Sequence, residues 1–332
     1  MLKLVVFLLV NMKTSKVNKY GFSSDKDETG LNSSLKVNAR IEKWEKMIAN
    51  WERYKGSKFK KLKSRVRKGV PDSLRSRVWL LIANGLSIKK SYPRNHYFRL
   101  TNIIDDPPCM LTIEKDLDRT YPTHELFKCL IGQDSLRRIL RSYAHFDPEI
   151  GYCQGMAYIV GIPRMYMDEE DAFWMLVSIL QQYEMRGMFK DGMEKVYQSY
   201  YKANSLLKQF EYKTWRKLTN INFYPQIYCT QWFMTIYSNF PIETRLRIWD
   251  CFLFEGPKIL FRVFVGIFRG YRKLFKDVTF DSTLTVIRGI ESNCNPDQLL
   301  KAGFSVNLSK KRLKELEREF VYEPKSEIVT WK

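Results

Sequence analysis

Large apolar side chains recur three and four positions apart along most of this sequence, and that spacing constrains the fold more than any other feature. Ile41, Trp44, Met47 or Ile48, and Trp51 repeat at helical intervals, as do Leu136, Ile139, Leu140 and Tyr143, and Ile259, Leu260, Val263, Phe264, Ile267 and Phe268. Such stripes fit one face of a 3.6-residue helix, whereas a half-buried strand needs alternation with a period of two. No alternating run of convincing length is present. The predicted class is all-α, a multi-helix orthogonal array with no significant sheet and not a simple four-helix bundle.

The same spacing places the helices. One is predicted over 38–54, and another opens at Pro71 and Asp72, where a missing N–H is harmless and a carboxylate suits the dipole. Its stripe is Leu74, Val78, Leu81 and Ile82, with Arg75 and Arg77 falling away from it, and Asn84-Gly85 stops it. Ile113, Asp116 and Leu117 begin a segment that Pro122 ends. Leu136–Phe146 is broken by Pro148 and Gly151, and an apolar segment runs from Met156 to Met167. Asp168 is a predicted cap for an acidic first turn. Further helices are expected over 194–210, 226–238, 243–254, 257–275 and 308–320, the pattern weakening after Lys276.

At 332 residues and 45% apolar content the chain has ample material for a core. Its 56 Lys and Arg against 36 Asp and Glu give +20, which speaks of acidic partners: anionic lipid, nucleic acid or an acidic protein. Nucleic acid is not expected, because the aromatics follow core spacing and no recognition motif is present. Six separated cysteines, with no C-x-x-C, read as reduced and mostly buried thiols of a cytoplasmic protein. His96, His124 and His145 form no metal-binding pair, so a zinc or histidine-based hydrolase is not expected.

Leu4–Val10 is a short apolar run with one lysine before it and no small-residue cleavage pattern after it. A signal peptide at 1–12 is not expected, and the run is too short to span a bilayer. Residues 13–36 are polar and are taken as a disordered lead-in. Nine basic residues and no acidic one lie between Arg53 and Lys68. They read either as a solvated linker face or as a contact for an anionic membrane surface or an acidic partner.

Two polar residues stand at helix ends. Read by position, Arg119 is an exposed residue that favours a helix C-terminus and pairs with Asp116, and Gln154 satisfies free N–H groups between Gly151 and Gly155. The chain has no G-x-x-x-x-G-K-[ST], no G-x-G-x-x-G after a strand and no G-x-S-x-G. It therefore offers neither a P-loop nor a serine triad. A guanidinium and a carboxamide on a rigid body suit one reaction performed on another protein. In phosphoryl transfer from GTP, an arginine in trans stabilises the charge on the γ-phosphate and a glutamine amide holds the attacking water in line.

Five short motifs in order then carry a resemblance: Arg67-Lys68-Gly69-Val70-Pro71 with Leu74-Arg75 and Val78-Trp79; Ile113-x-x-Asp116-x-x-Arg119-Thr120; Tyr152-Cys153-Gln154-Gly155-Met156; Glu169-Glu170-Asp171-Ala172-Phe173-Trp174; and Arg247-Ile248-Trp249-Asp250. Together they resemble the TBC-domain family of Rab GTPase-activating proteins over about residues 65 to 275. The resemblance implies a V-shaped helical domain that acts on a Rab-family GTPase, with Arg119 as arginine finger and Gln154 as glutamine finger. It implies that Asp116 supports the arginine and that Tyr152 and Gly155 flank the glutamine. GTP and Mg²⁺ would come with the partner, no cofactor would belong to the chain, and the expected place is peripheral on endomembranes in vesicle trafficking. A catalytically weak module that scaffolds a GTPase is the alternative. The implied layout is 1–37 lead-in, 38–66 amphipathic helix and basic linker, 67–275 TBC domain and 276–332 helical extension. Two departures stand out: Ser76 where glycine is frequent, and Gly161-Ile162-Pro163-Arg164, where a kink is expected.

Overall fold

The computed structural model describes residues 17–23 and 34–321; the apolar run Leu4–Val10 and most of the expected lead-in lie outside the described residues. The longer helices are α1 (Ser34–Ala49), α2 (Phe59–Arg67), α3 (Arg75–Ile82), α4 (Met110–Leu117), α5 (Leu130–Phe146), α6 (Met156–Arg164) and α7 (Glu169–Gln182). They continue as α8 (Glu194–Phe210), α9 (Tyr212–Asn220), α10 (Ile242–Glu255), α11 (Lys258–Gly270), α12 (Phe280–Asn293), α13 (Pro296–Phe304) and α14 (Lys310–Glu319). Among the described residues there is no strand, only two isolated bridges. No helix there is long and apolar enough to cross a membrane.

Burial follows the apolar pattern. Every residue from Ala172 to Leu180 in α7 is buried, as are Ile259–Phe261 and Val263–Phe268 in α11, so these two helices run through the main core. Asp168 accepts the Asp171 N–H at 2.8 Å and fixes where α7 begins. A smaller core gathers Trp44 and Met47 of α1, Trp51, Leu62 and Val66 of α2, and Val78 of α3, so the predicted 38–54 segment docks as expected, split in two after Ala49. All six cysteines are unpaired; Cys229, Cys251 and Cys294 are buried, and Cys129 is exposed.

Four local expectations change. The expected linker of the basic run holds α2, whose Leu62 and Val66 are fully buried while Lys63 and Arg67 pair with Glu255 at 3.1 and 2.6 Å. The expected helix over 226–238 shrinks to Thr230–Met234, because Ile236 and Tyr237 take φ values of +52° and +61°. Each left-handed residue costs about 1–2 kcal/mol, and burying each of these side chains returns about as much or more. After Lys276 two helices appear where the apolar pattern was weak. There α13 crosses α11 on glycines: a Cβ on Gly266 would sit 2.8 Å from the Gly303 nitrogen, so backbone contact replaces part of an apolar stripe. Finally, α6 passes through Pro163 and ends at Arg164, so the proline falls in the last turn of the helix and not at its middle.

Arg75 is the other correction. It lies off the apolar stripe yet is 4% exposed, with its Nε 3.3 Å from Asp250 of α10. Asp250 also accepts from the Val70 N–H at 2.7 Å and Trp79 Nε1 at 2.8 Å. Burial is the largest single influence and works against the charge on Arg75, but Asp250, Tyr166 and Asp72 together outweigh it and hold the guanidinium above its ordinary value. This pair fastens α3 and the turn before it to α10. Arg75→Ala is expected to lower stability by about 3–5 kcal/mol by stranding a buried carboxylate. Urea unfolding checks this, and a loss under about 1 kcal/mol would mean that Val70 and Trp79 satisfy Asp250 alone.

Candidate functional site

Arg119 follows the end of α4, whose buried Ile113 and Leu117 anchor that helix in the core. Asp116, on the same buried side, is 2% exposed, and its carboxylate accepts from Nη2 of Arg119. The arginine side chain remains 47% exposed. Thr120 Oγ1 donates to the Asp116 carbonyl at 2.6 Å, closing the turn beneath it.

Gln154 lies in the loop between α5 and α6, exposed, and its carboxamide has no hydrogen-bond partner among the described residues. Gly155, which follows, has φ +107°, a conformation open to glycine and strained for other residues. That reversal starts α6 and leaves the Gln154 side chain outside the core.

Hydrogen bonds tie the two loops together. The Tyr152 hydroxyl donates to the second oxygen of the Asp116 carboxylate, across 36 residues of sequence. The Tyr158 hydroxyl, on the first turn of α6, donates to the Arg119 carbonyl at 2.9 Å, and the Tyr121 hydroxyl donates to the Tyr158 carbonyl at 3.1 Å. Burial first, and then Asp116, push the Tyr152 phenol well above its ordinary value, so it stays a neutral donor. Arg119, Asp116, Tyr152 and Gly155 thus belong to one assembly, and Gln154 projects from its edge.

Reading by spacing missed Tyr121, Tyr158 and Arg245. Tyr121 has φ +50° and a buried ring, over which the buried Arg245 guanidinium lies at 4.8 Å. A Cβ on Gly161 would come within 2.7 Å of that ring, so the unusual glycine of α6 makes room for it. That glycine was the one available signal. Arg119, Tyr158, Gln231, Arg245, Asn18 and Phe22 line one cleft; Gln154 is not among its lining residues. Two guanidiniums make it a place for anionic groups. Among the described residues, no cluster of three or more His, Cys, Asp or Glu is placed to hold a metal ion.

The turn beyond Arg119 is closed by His124, whose Nδ1 accepts the Leu126 N–H at 3.2 Å. The other nitrogen, Nε2, therefore carries the proton and donates to the Tyr20 carbonyl at 3.0 Å. Burial holds this imidazole below its ordinary value.

Such a domain exposes an arginine and a glutamine on two linked loops, and its sequence holds no glycine-rich phosphate-binding motif. The model of the Rab-GTPase-TBC domain family matches residues 72–276, and the chain belongs to that family. TBC1 domain family member 10B of Mus musculus is 34% identical over 300 residues, which are 87% of this chain and 37% of that protein. TBC1 domain family member whacked of Drosophila melanogaster is 33% identical over 284 residues, 83% of this chain and 77% of that one. The chain spans about a third of the length of the first curated relatives it matches. The crystal structure of the Chlamydomonas flagellar RabGAP TBC domain has the same fold, with a TM-score of 0.69 at 24% identity over 87% of this chain and 99% of that one.

Because the folded pKa of His124 lies below that of the unfolded chain, the stability it contributes is whole above about pH 6.5 and is lost as the pH falls through the folded value. His124→Gln, which does not titrate, should show a shallower loss of unfolding free energy than the wild type between pH 7 and 5. Equal slopes would remove His124 as the cause.

Proposed function

We propose that the chain accelerates GTP hydrolysis by a Rab-family small GTPase, with Arg119 acting as arginine finger and Gln154 as glutamine finger. The observation that carries this reading is the tie at Asp116: one buried carboxylate holds both Arg119 and Tyr152, two residues before Gln154. The guanidinium is half-exposed and Gln154 is exposed, as groups must be that work inside another protein.

On this reading Arg119 neutralises charge on the γ-phosphate oxygens as the bond to the leaving oxygen breaks, an effect of about 10³–10⁵ in rate, or roughly 4–7 kcal/mol of barrier. Gln154 orients the attacking water in place of the GTPase's own glutamine. Asp116, Tyr152 and Gly155 touch no nucleotide and hold the two groups in place. GTP and Mg²⁺ belong to the partner. The acting unit is residues 67–275, flanked by 38–66 and 276–332, and the setting is the cytoplasmic face of endomembranes in vesicle trafficking.

Arg119→Ala should lower stimulated hydrolysis by at least about 10³-fold with the fold intact, measured by single-turnover rates across a panel of Rab GTPases. Arg119→Lys should not restore it, because an ammonium lacks the planar fork. Gln154→Ala should be nearly as damaging and make the rate depend on the GTPase's own glutamine. Full activity in Arg119→Ala would overturn the assignment, and tight binding without acceleration by the wild type would favour the scaffold reading.

Membrane contact belongs to the same proposal. Arg53, Lys55, Lys60, Lys61 and Lys68 are exposed along and around α2, and each is worth about 1 kcal/mol near an anionic leaflet. Neutralising Lys55, Lys60, Lys61 and Lys68 should weaken sedimentation with phosphatidylserine vesicles and leave solution activity unchanged. Undiminished vesicle binding would refute the contact.

A further inference from the structure

The turn that leads away from Arg119 is held on its outer side by a segment remote in sequence. Val17 and Ser23 bridge to close a tight loop, within which Asn18 Oδ1 accepts the Tyr20 and Phe22 N–H groups at 3.0 and 3.2 Å. This loop is tied to the body at several points. The Ser23 N–H donates to the Thr123 carbonyl at 3.0 Å, and the Glu125 N–H donates to the Gly21 carbonyl at 2.9 Å. His124 Nε2 donates to the Tyr20 carbonyl, and the Tyr20 hydroxyl donates to Glu243 at 3.2 Å. Phe22 lays its ring edge-on against both Tyr121 and His124.

Gly21 permits this docking twice over. Its φ is +81°, and a Cβ there would stand 2.8 Å from His124 Nε2. The loop also shapes the site, since Asn18 and Phe22 line the same cleft as Arg119 and Tyr158. With the loop in place the Arg119 side chain is still 47% exposed, so the loop walls the cleft and leaves the guanidinium uncovered.

We infer that the Val17–Ser23 loop is a clamp that positions Arg119 by bracing residues 120–124 from outside, with Gly21 and Phe22 as positioning residues; this rests on the reading of Arg119 as the arginine finger. From inside, Tyr158 and Thr120 hold the main chain of the same turn. Without the outer brace the turn pivots on the inner bonds alone. A displacement of about 1 Å at a reacting group costs up to about a hundredfold in rate. The loss falls on the chemical step, because the surfaces that bind the GTPase are otherwise intact.

The test uses the full chain with Gly21→Ala and, separately, Phe22→Ala, read in two ways. Hydrogen exchange at the Glu125 amide, measured without any GTPase, should become faster in both variants as its bond to Gly21 opens. Stimulated hydrolysis should show kcat lowered about tenfold with KM for the GTPase changed less than about twofold. Unchanged exchange in both variants would overturn the clamp, as would faster exchange with unchanged kcat, a change confined to KM, or a raised kcat, which would make the loop an inhibitory plug. An Arg119→Ala control that kept its rate would withdraw the finger reading and the clamp with it, while the exchange result would still report whether the loop is docked.

Discussion

A single carboxylate, that of Asp116, sets the geometry of the polar edge of this molecule. An ionised carboxylate taken out of water costs several kcal/mol unless donors meet it. Here both oxygens are met, one by the Tyr152 hydroxyl and the other by the Arg119 guanidinium. Neither donor is local to the other in sequence, so satisfying the carboxylate forces the end of α4 against the start of α6. Packing alone does not impose that register. Ile113 and Leu117 fix only the inward face of α4.

The same tie has an entropic side. A free arginine side chain carries about 2 kcal/mol of rotamer entropy, which would otherwise be lost when it engages a ligand. Arg119 has lost part of that freedom on folding, through its bond to Asp116. Its main chain is steadied as well, by Tyr158 at its carbonyl and by a turn whose Tyr121 takes a left-handed conformation. Tyr121 keeps that costly φ because its ring is buried against Tyr158 and beneath Arg245, and Gly161 leaves it room. A mutation at Gly161 would therefore act on Arg119 from a distance.

Helices were legible where one apolar stripe faces one core. Residues 194–210 were expected as helical and α8 has those bounds, and the Asp168 cap was readable from its side chain. Legibility failed where contact is made by something other than a stripe. The glycine crossing of α11 and α13 leaves little hydrophobic signal, and Arg75 is buried by a carboxylate that lies 175 residues away. The chain reversal at Ile236 and Tyr237 is invisible because both residues look helical by spacing and are turned by tertiary packing. At the site, Asp116, Arg119, Tyr152, Gln154 and Gly155 could be picked out by motif. Tyr158 and Tyr121 could not, because a tyrosine at core spacing looks the same whether or not its hydroxyl holds a neighbouring loop.

If Arg119 is the proposed arginine finger, its bond to Asp116 must either be kept or be broken when it acts on a partner. Among the described residues, Asp116 is the only partner of the Arg119 side chain, and it takes only Nη2. Guanidinium carries five N–H groups in a planar fork, so Nε and Nη1 stay available to a further acceptor while Nη2 keeps its carboxylate. If the bond is kept, Asp116 remains satisfied and the arginine reaches outward as a braced group rather than a free one. If it is broken, a buried carboxylate is left with Tyr152 alone, at a cost of about 1–3 kcal/mol taken from whatever the partner supplies. The retained bond is the less costly path. Lysine does not reproduce it, because its donors sit on one nitrogen and do not spread along a rigid plane. On the proposed reading, arginine at this position answers two demands, a partner's anion on one side and this protein's own buried carboxylate on the other.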